Sequence, residues 1–453
     1  MKTRLLIVLG YLGTILVGAL LLALPISSPA HTWMNPMDAL FTACSAVCIT
    51  GLSVIEVGVV LSRFGQSVML VLVQIGTVGI MTTCTFFLVL AGRRLSLSSE
   101  FELQSAIGTK SIRGIRGLIL WVVCSMLFLE AVGTVALHEL FMADAAIHAN
   151  SPVAGNSPWF RAYFYSVMAF CNAGFSIDPG SLAVFQAQPY ILLTMGCLVI
   201  LGGVGFLVIY DLCTIQFWRR NLVKRGHLSL HTRVVLLSTL IGFVGMFAFF
   251  MLLEWNHSLE PFSLAEKLAV GFFQAITPRT CGFTVVPIHE TQPAVRFISE
   301  VLMFIGAAPG GAGGGIKVTT LAVFIVTLLA ICRGQRDCVM FKRSIPEAVV
   351  REAIVIVMVF AAMITAGMTV LLISEAGNPE LPFENLLFEM VSAVSTTGLS
   401  CGNTTASLSL VGRIVLMVCM FGGRLGALAV VLLIGGQEER TTIHYPKEQI
   451  IVG

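Results

Sequence analysis

Eight apolar runs, each long enough to cross a membrane, recur along this chain, and no other feature restricts its fold as strongly. They centre on residues 5–24, 66–91, 117–140, 190–214, 234–254, 297–331, 353–374 and 411–434. A hydrocarbon core about 30 Å thick takes roughly 20 helical residues at about 1.5 Å rise each. Of the 453 residues, 57% are hydrophobic and 11% charged, a balance outside that of soluble globular domains. The first run follows Lys2 and Arg4, as a secretory signal would. About 20 apolar residues exceed the usual signal core of about 7 to 15, so a retained helix is expected.

The placement of positive charge predicts topology. Lys and Arg total 27 against 24 Asp and Glu, but five cluster in 92–116 (Arg93, Arg94, Lys110, Arg113, Arg116) and five in 216–233 (Arg219, Arg220, Lys224, Arg225, Arg233). Arg333, Arg336, Lys342, Arg343 and Arg351 form a third cluster in 332–351. The connections between these clusters are poor in Lys and Arg, so the positive-inside rule makes the three segments cytoplasmic and puts both termini inside. The expectation is a multi-pass protein of the cell's inner (plasma) membrane, its basic runs serving orientation and not nucleic acid. The 12 cysteines sit mostly in or beside apolar runs without CxxC or Cys/His ligand spacing, and read as small hydrophobes.

One short unit occurs in four copies: "AVCITGLSV" at Gly51, "MAFCNAGFSI" at Gly174, "ITPRTCGFTV" at Gly282 and "SAVSTTGLSC" at Gly398. Each glycine precedes Leu or Phe and then Ser or Thr, at intervals of 123, 108 and 116 residues. Before each lies a stretch of about a dozen mostly apolar residues (37–47, 159–170, 263–276, 383–394). As helices these reach about 17–21 Å, too short to cross, so each is expected to dip in and return. An irregular turn in hydrocarbon leaves N–H and C=O groups unsatisfied at several kcal/mol each, and survives only buried in protein or facing water. Four such turns are expected to meet on one axis, where backbone carbonyls can replace the hydration shell of a cation and helix C-termini add a favourable field. The expected units are 1–116, 117–232, 233–349 and 350–453.

These residues resemble the Trk/Ktr/HKT superfamily of potassium transport subunits over essentially the whole chain. The matching motifs are "TGLSV", "NAGFS", "RTCGFT" and "TTGLS", in the family's order. The resemblance implies a potassium filter of Ile49, Thr50 and Gly51, Asn172, Ala173 and Gly174, Thr280, Cys281 and Gly282, and Thr396, Thr397 and Gly398, coordinating through backbone carbonyls. In the plant branch a serine at the first glycine position accompanies sodium preference, so glycine at all four implies potassium, with sodium as the alternative cation. It further implies a homodimer above a cytoplasmic nucleotide-binding regulatory ring, since the chain itself carries no recognisable nucleotide site.

The stretch "GAAPGGAGGGIKVTT", 306–320, interrupts the sixth apolar run. Pro309 and five glycines in the seven residues 309–315 cannot hold a helix. A phosphate loop is excluded, because Lys317 follows Ile316 and precedes Val318 where GxxxxGK[ST] needs glycine and a hydroxyl residue. Close helix packing through small residues is one reading; the family resemblance implies instead a mobile gate made of Gly310, Gly311, Ala312, Gly313, Gly314 and Gly315, with Lys317 at its end. Arg424 lies within the last run, where a lone charge costs at least about 2.5–3.5 kcal/mol and marks a function. The resemblance implies that it donates to the loop's carbonyls. Arg279 is expected to brace pore helices through a carboxylate such as Asp178. Glu130, His138 and Asp211, in or near crossings, are expected to make local hydrogen bonds or reach toward helix ends, ahead of serving a proton path.

The expectation is therefore an all-α integral membrane protein of four helix, re-entrant pore helix, helix units with pseudo-fourfold symmetry. It would pass potassium inward through one carbonyl filter gated by the 308–315 loop. A sodium-permeable or sodium-coupled carrier is the alternative, and an intramembrane enzyme around His138, Asp211 or Arg424 lacks a nucleophile and base at workable spacing.

Overall fold

In a computed structural model, residues 2–79, 115–143, 157–214, 228–335, 337–379 and 381–426 are described. The basic segments 92–114 and 215–227, and the part of the last run beyond residue 426, lie outside them. The described chain is helical apart from one hairpin of β1 (Val339–Met340) and β2 (Arg343–Ser344), which lies in the third basic segment.

Four helices of 12 or 13 residues stand where the short stretches are: α2 (Pro36–Val47), α5 (Pro158–Phe170), α9 (Leu264–Ile276) and α13 (Phe383–Ser395). Local chemistry starts three of them. Asn35 Oδ1 accepts from the Met37 amide at 3.0 Å ahead of Pro36, and Ser157 Oγ accepts from the Phe160 amide at 3.3 Å ahead of Pro158. Ser263 and Glu266 form a reciprocal capping box. The C-terminal halves of all four are buried almost all round.

Long helices surround them: α1 (Lys2–Ala23), α4 (Ile115–Ala143), α8 (Leu230–Glu254) and α12 (Glu347–Ser374) each precede a short helix. Those of α4, α8 and α12 are long and apolar enough to cross a membrane unaided, and only 22–33% of their apolar windows is buried within the chain. An apolar surface left outward on this scale suits lipid as solvent. Leu22 of α1 is fully buried in the common core.

The helices after each glycine turn are shorter than the sequence suggests: α3 (Arg63–Val78), α6 (Pro189–Val204), α10 (Pro293–Ile305) and α14 (Leu410–Leu425). Each ends at a glycine of positive φ, Gly79 at 79°, Gly205 at 94°, Gly306 at 69° and Gly426 at 83°, a conformation glycine adopts without a Cβ penalty. The run 190–214, expected to be one span, is thus α6 and α7 (Phe206–Thr214), bent by 94° at Gly205. The interruption expected at 306–320 is present over 306–317, and the chain resumes three residues early as α11 (Val318–Cys332).

Buried carboxylates fasten long helices to their partners. Glu254, at the end of α8, accepts from the Gln292 amide ahead of α10 at 2.7 Å, and Glu375, after α12, accepts from Ser409 Oγ ahead of α14 at 2.5 Å. Each carboxylate satisfies donors at a helix N-terminus that have no partner within the helix.

Candidate functional site

The four glycine turns share one backbone form. The residue two before each glycine is left-handed, Ile49 at φ 54°, Asn172 at 54°, Thr280 at 65° and Thr396 at 50°, and the glycines follow at 94°, 68°, 82° and 89°. Positive φ on a β-branched residue such as Ile49 is rare and costs about 1–3 kcal/mol, so the surroundings must impose it. Hydrogen bonds back to the pore helix do so: the amides of Thr50, Ala173 and Thr397 donate to Ser45 O at 2.8 Å, Met168 O at 2.9 Å and Ser392 O at 2.9 Å. The Gly51 and Gly398 amides donate to the Ser45 and Ser392 hydroxyls at 3.1 and 3.0 Å. The third turn differs, with the Cys281 amide on Thr277 O at 3.0 Å.

The four turns lie edge to edge and close a ring. A Cβ placed on Gly51 would come within 2.6 Å of Ala173 O, one on Gly174 within 2.8 Å of Gly282 Cα and 3.0 Å of Cys281 O, and one on Gly282 within 2.6 Å of Thr397 O. One on Gly398 would run into Thr50 O. Only a residue without a side chain allows this approach.

The carbonyls of this ring are unusual for buried backbone. Of residues 49–51, 172–174, 280–282 and 396–398, all but Gly51 are buried, yet none of their carbonyl oxygens accepts a hydrogen bond among the described residues. The hydroxyls of Thr50, Thr280 and Thr396 are likewise buried without a partner. Buried carbonyls ordinarily find one, so the ring is a concentration of acceptors suited to a cation, with the negative ends of four helices directed at it.

The glycine loop lies against one side of the ring. A Cβ on Gly313 would run into Thr280 Oγ1 and one on Gly314 into Thr396 Oγ1. The loop also pairs with the bend between α6 and α7: Ala308 N and Ala312 N donate to Gly203 O and Gly202 O, each at 3.2 Å, and Phe206 N donates to Gly310 O at 3.1 Å. Arg424 donates from Nη1 to Ala312 O and from Nη2 to Gly76 O of α3, both at 2.5 Å, and Lys317 Nζ donates to Gly313 O at 2.7 Å. Gly310, Gly311, Gly315 and the other loop residues are thereby brought together with Arg424 and the ring.

Arg279 is a correction. Its Nη1 donates to Thr239 O at 3.4 Å, while Asp178 is held by Arg161, whose Nε and Nη2 reach Oδ2 at 3.0 and 2.7 Å. Arg161 lies on the same pore helix that precedes Asp178's turn, so the shorter path within one unit wins over a partner in the next. Glu130 accepts from Gln74 Nε2 at 3.0 Å, Asp211 accepts from the Ser229 amide at 3.1 Å, and His138 stacks on Trp159 with centroids 3.7 Å apart. Sequence reasoning missed the bend at Gly205; its signal was the glycine cluster "LGGVG" at 201–205.

A helical membrane protein with one buried ring of unpaired carbonyls is, as a class, a cation transport protein. Comparison with known proteins gives the family: the model of the TrkH cation transport proteins matches residues 14–439, and this chain belongs to that family. It is 32% identical over 449 residues to the Ktr system potassium uptake protein B of Bacillus subtilis, covering 98% of this chain and 95% of that one. It is 31% identical over 451 residues to the potassium/sodium uptake protein NtpJ of Enterococcus hirae, covering 99% and 96%. The fold is that of the potassium transporter TrkH from Vibrio parahaemolyticus, with a TM-score of 0.71 at 18% identity over 96% of this chain and 84% of that chain. The family is one of ion transporters and not of enzymes.

Proposed function

We propose that the chain conducts potassium into the cell through the ring of carbonyls at 49–51, 172–174, 280–282 and 396–398, each quarter supplied by one of the units 1–116, 117–232, 233–349 and 350–453. The observation that carries this is the closed approach of the four glycines around acceptors that no donor among the described residues satisfies. Such sites must bind strongly enough to strip an ion's water and weakly enough to release it. The loop 308–315 is the gate, and Arg424 and Lys317 hold it against the ring. Potassium is the cargo, driven inward at least by the membrane potential. The proposed assembly is the one the family resemblance implies, a homodimer in the lipid bilayer with a cytoplasmic nucleotide-binding ring as its regulator; the Bacillus subtilis relative is named as protein B of a Ktr system, which fits a chain that works with a partner.

Uptake of potassium and sodium into proteoliposomes tests this, and potassium should exceed sodium by about 10-fold or more. Equal uptake would favour the second reading, a sodium-permeable or sodium-coupled carrier, which the potassium/sodium name of the Enterococcus hirae relative supports.

A further inference from the structure

Nine residues before each ring glycine, the pore helix carries Thr42, Tyr165, Phe273 or Glu389; two residues after the glycine, the returning segment carries Ser53, Ser176, Thr284 or Ser400. Two units join these positions directly. In the second, Tyr165 Oη lies 2.8 Å from Ser176 Oγ and donates to Asp178 Oδ2 at 2.6 Å, and the Asp178 amide returns a bond to Tyr165 Oη at 3.2 Å. In the fourth, Ser400 Oγ donates to Glu389 Oε1, as does Thr405 Oγ1 at 3.1 Å. Tyr165 and Glu389 are both fully buried.

The other two units lack the join. Among the described residues Thr42 Oγ1 has no partner, Ser53 Oγ turns to Ile55 O of its own segment at 2.7 Å, and the Phe273 side chain has no polar atom to offer. Around the ring the neighbours run first, second, third, fourth, so the joined units face one another across it. The returning segments of the unjoined units lean on the second. Leu182 N donates to Thr284 O at 2.9 Å, Thr284 N to Ser181 Oγ at 3.1 Å, and Gln186 Nε2 to Val285 O at 2.7 Å. Gly58 packs directly against Ile177 O.

We propose that Tyr165 and Glu389 are positioning residues for ion discrimination: two clamps on opposite sides of the ring fix its width, and the second unit's clamp supports the unjoined neighbours as well. This rests on the ring being the ion path. A carbonyl ring discriminates between cations only while its oxygens keep their number and spacing, and a buried hydroxyl bond removed without a new cavity loosens the spacing without unfolding the chain.

The test is the potassium-to-sodium uptake ratio in proteoliposomes for the wild type, Tyr165→Phe, Glu389→Leu, Glu389→Gln and Thr42→Val, together with the potassium-dependent shift in thermal unfolding. Tyr165→Phe and Glu389→Leu should each lower the ratio by about 5-fold or more and shrink the potassium-dependent shift, because charge-assisted and buried bonds are lost. Glu389→Gln keeps an acceptor for Ser400 and Thr405 and should stay within about 2-fold of the wild type, as should Thr42→Val, which breaks no bond. Tyr165→Phe protein that unfolds normally and keeps the wild-type ratio overturns the clamp, as does Thr42→Val lowering the ratio equally. A wild type that discriminates against neither cation overturns the potassium reading of the ring, and the clamp with it.

Discussion

Replacing Arg424 with Met removes the two hydrogen bonds that tie the glycine loop to α3, one from Nη1 to Ala312 O and one from Nη2 to Gly76 O, both at 2.5 Å. Bonds from a charged donor contribute about 1.5–3 kcal/mol each, net of water. The Gly76 bond joins α14 to α3 and survives when the loop leaves, so the Ala312 bond alone counts; its lower figure of about 1.5 kcal/mol corresponds to roughly 10-fold in the balance between a docked and an undocked loop. The remaining ties are Lys317 Nζ on Gly313 O and the three backbone bonds to the bend at Gly202–Phe206, so the loop is loosened and not lost. Flux saturates once the loop is mostly open, so the expected rise in potassium uptake is severalfold, up to about 10-fold. Arg424→Lys keeps the charge, but an ammonium on a flexible stem does not span both carbonyls as the guanidinium fork does, and should fall between. The assay is initial uptake into proteoliposomes at matched protein density, with thermal unfolding in detergent as control. Unchanged or reduced uptake by protein that unfolds within a few degrees of the wild type would refute the claim that Arg424 holds the loop closed.

Deleting residues 310–315 should raise flux at least as much as Arg424→Met, and combining the two should add little, because both act on one obstruction. Gly51→Ser and Gly398→Ser should each lower the potassium-to-sodium ratio by about 10-fold, since their Cβ atoms would push Ala173 O and Thr50 O aside at φ values of 94° and 89°; Gly377→Ser, which meets nothing within 4 Å, is the control that should leave it unchanged. Glu254→Ala strands the Gln292 and Ser258 amides, which sit 2.7 and 3.3 Å from its carboxylate. The expected loss is about 2–3 kcal/mol of stability, read as a lower unfolding temperature with selectivity intact.

Much of this protein is legible in its sequence because the bilayer simplifies the problem. With lipid as solvent, length and hydropathy select the long helices, and a dozen apolar residues before "TGLS" or "AGFS" can only be a helix that turns back. The four copies of one motif identified the glycines that meet in the ring, and the run at 309–315 located the broken helix. What the sequence could not supply was where single glycines end helices and which side chains pair. The helices before Gly79, Gly205 and Gly426 end there because of backbone angles that a single glycine permits but does not require. Arg161, not Arg279, holds Asp178 because the turn folds back over its own pore helix. The pairing of Tyr165 with Ser176 and Glu389 with Ser400, where Thr42 and Phe273 make no such bond among the described residues, arises only once each returning segment has folded back over its own pore helix. Side-chain partners across a turn are set by packing in three dimensions, and hydropathy along one dimension carries no record of them.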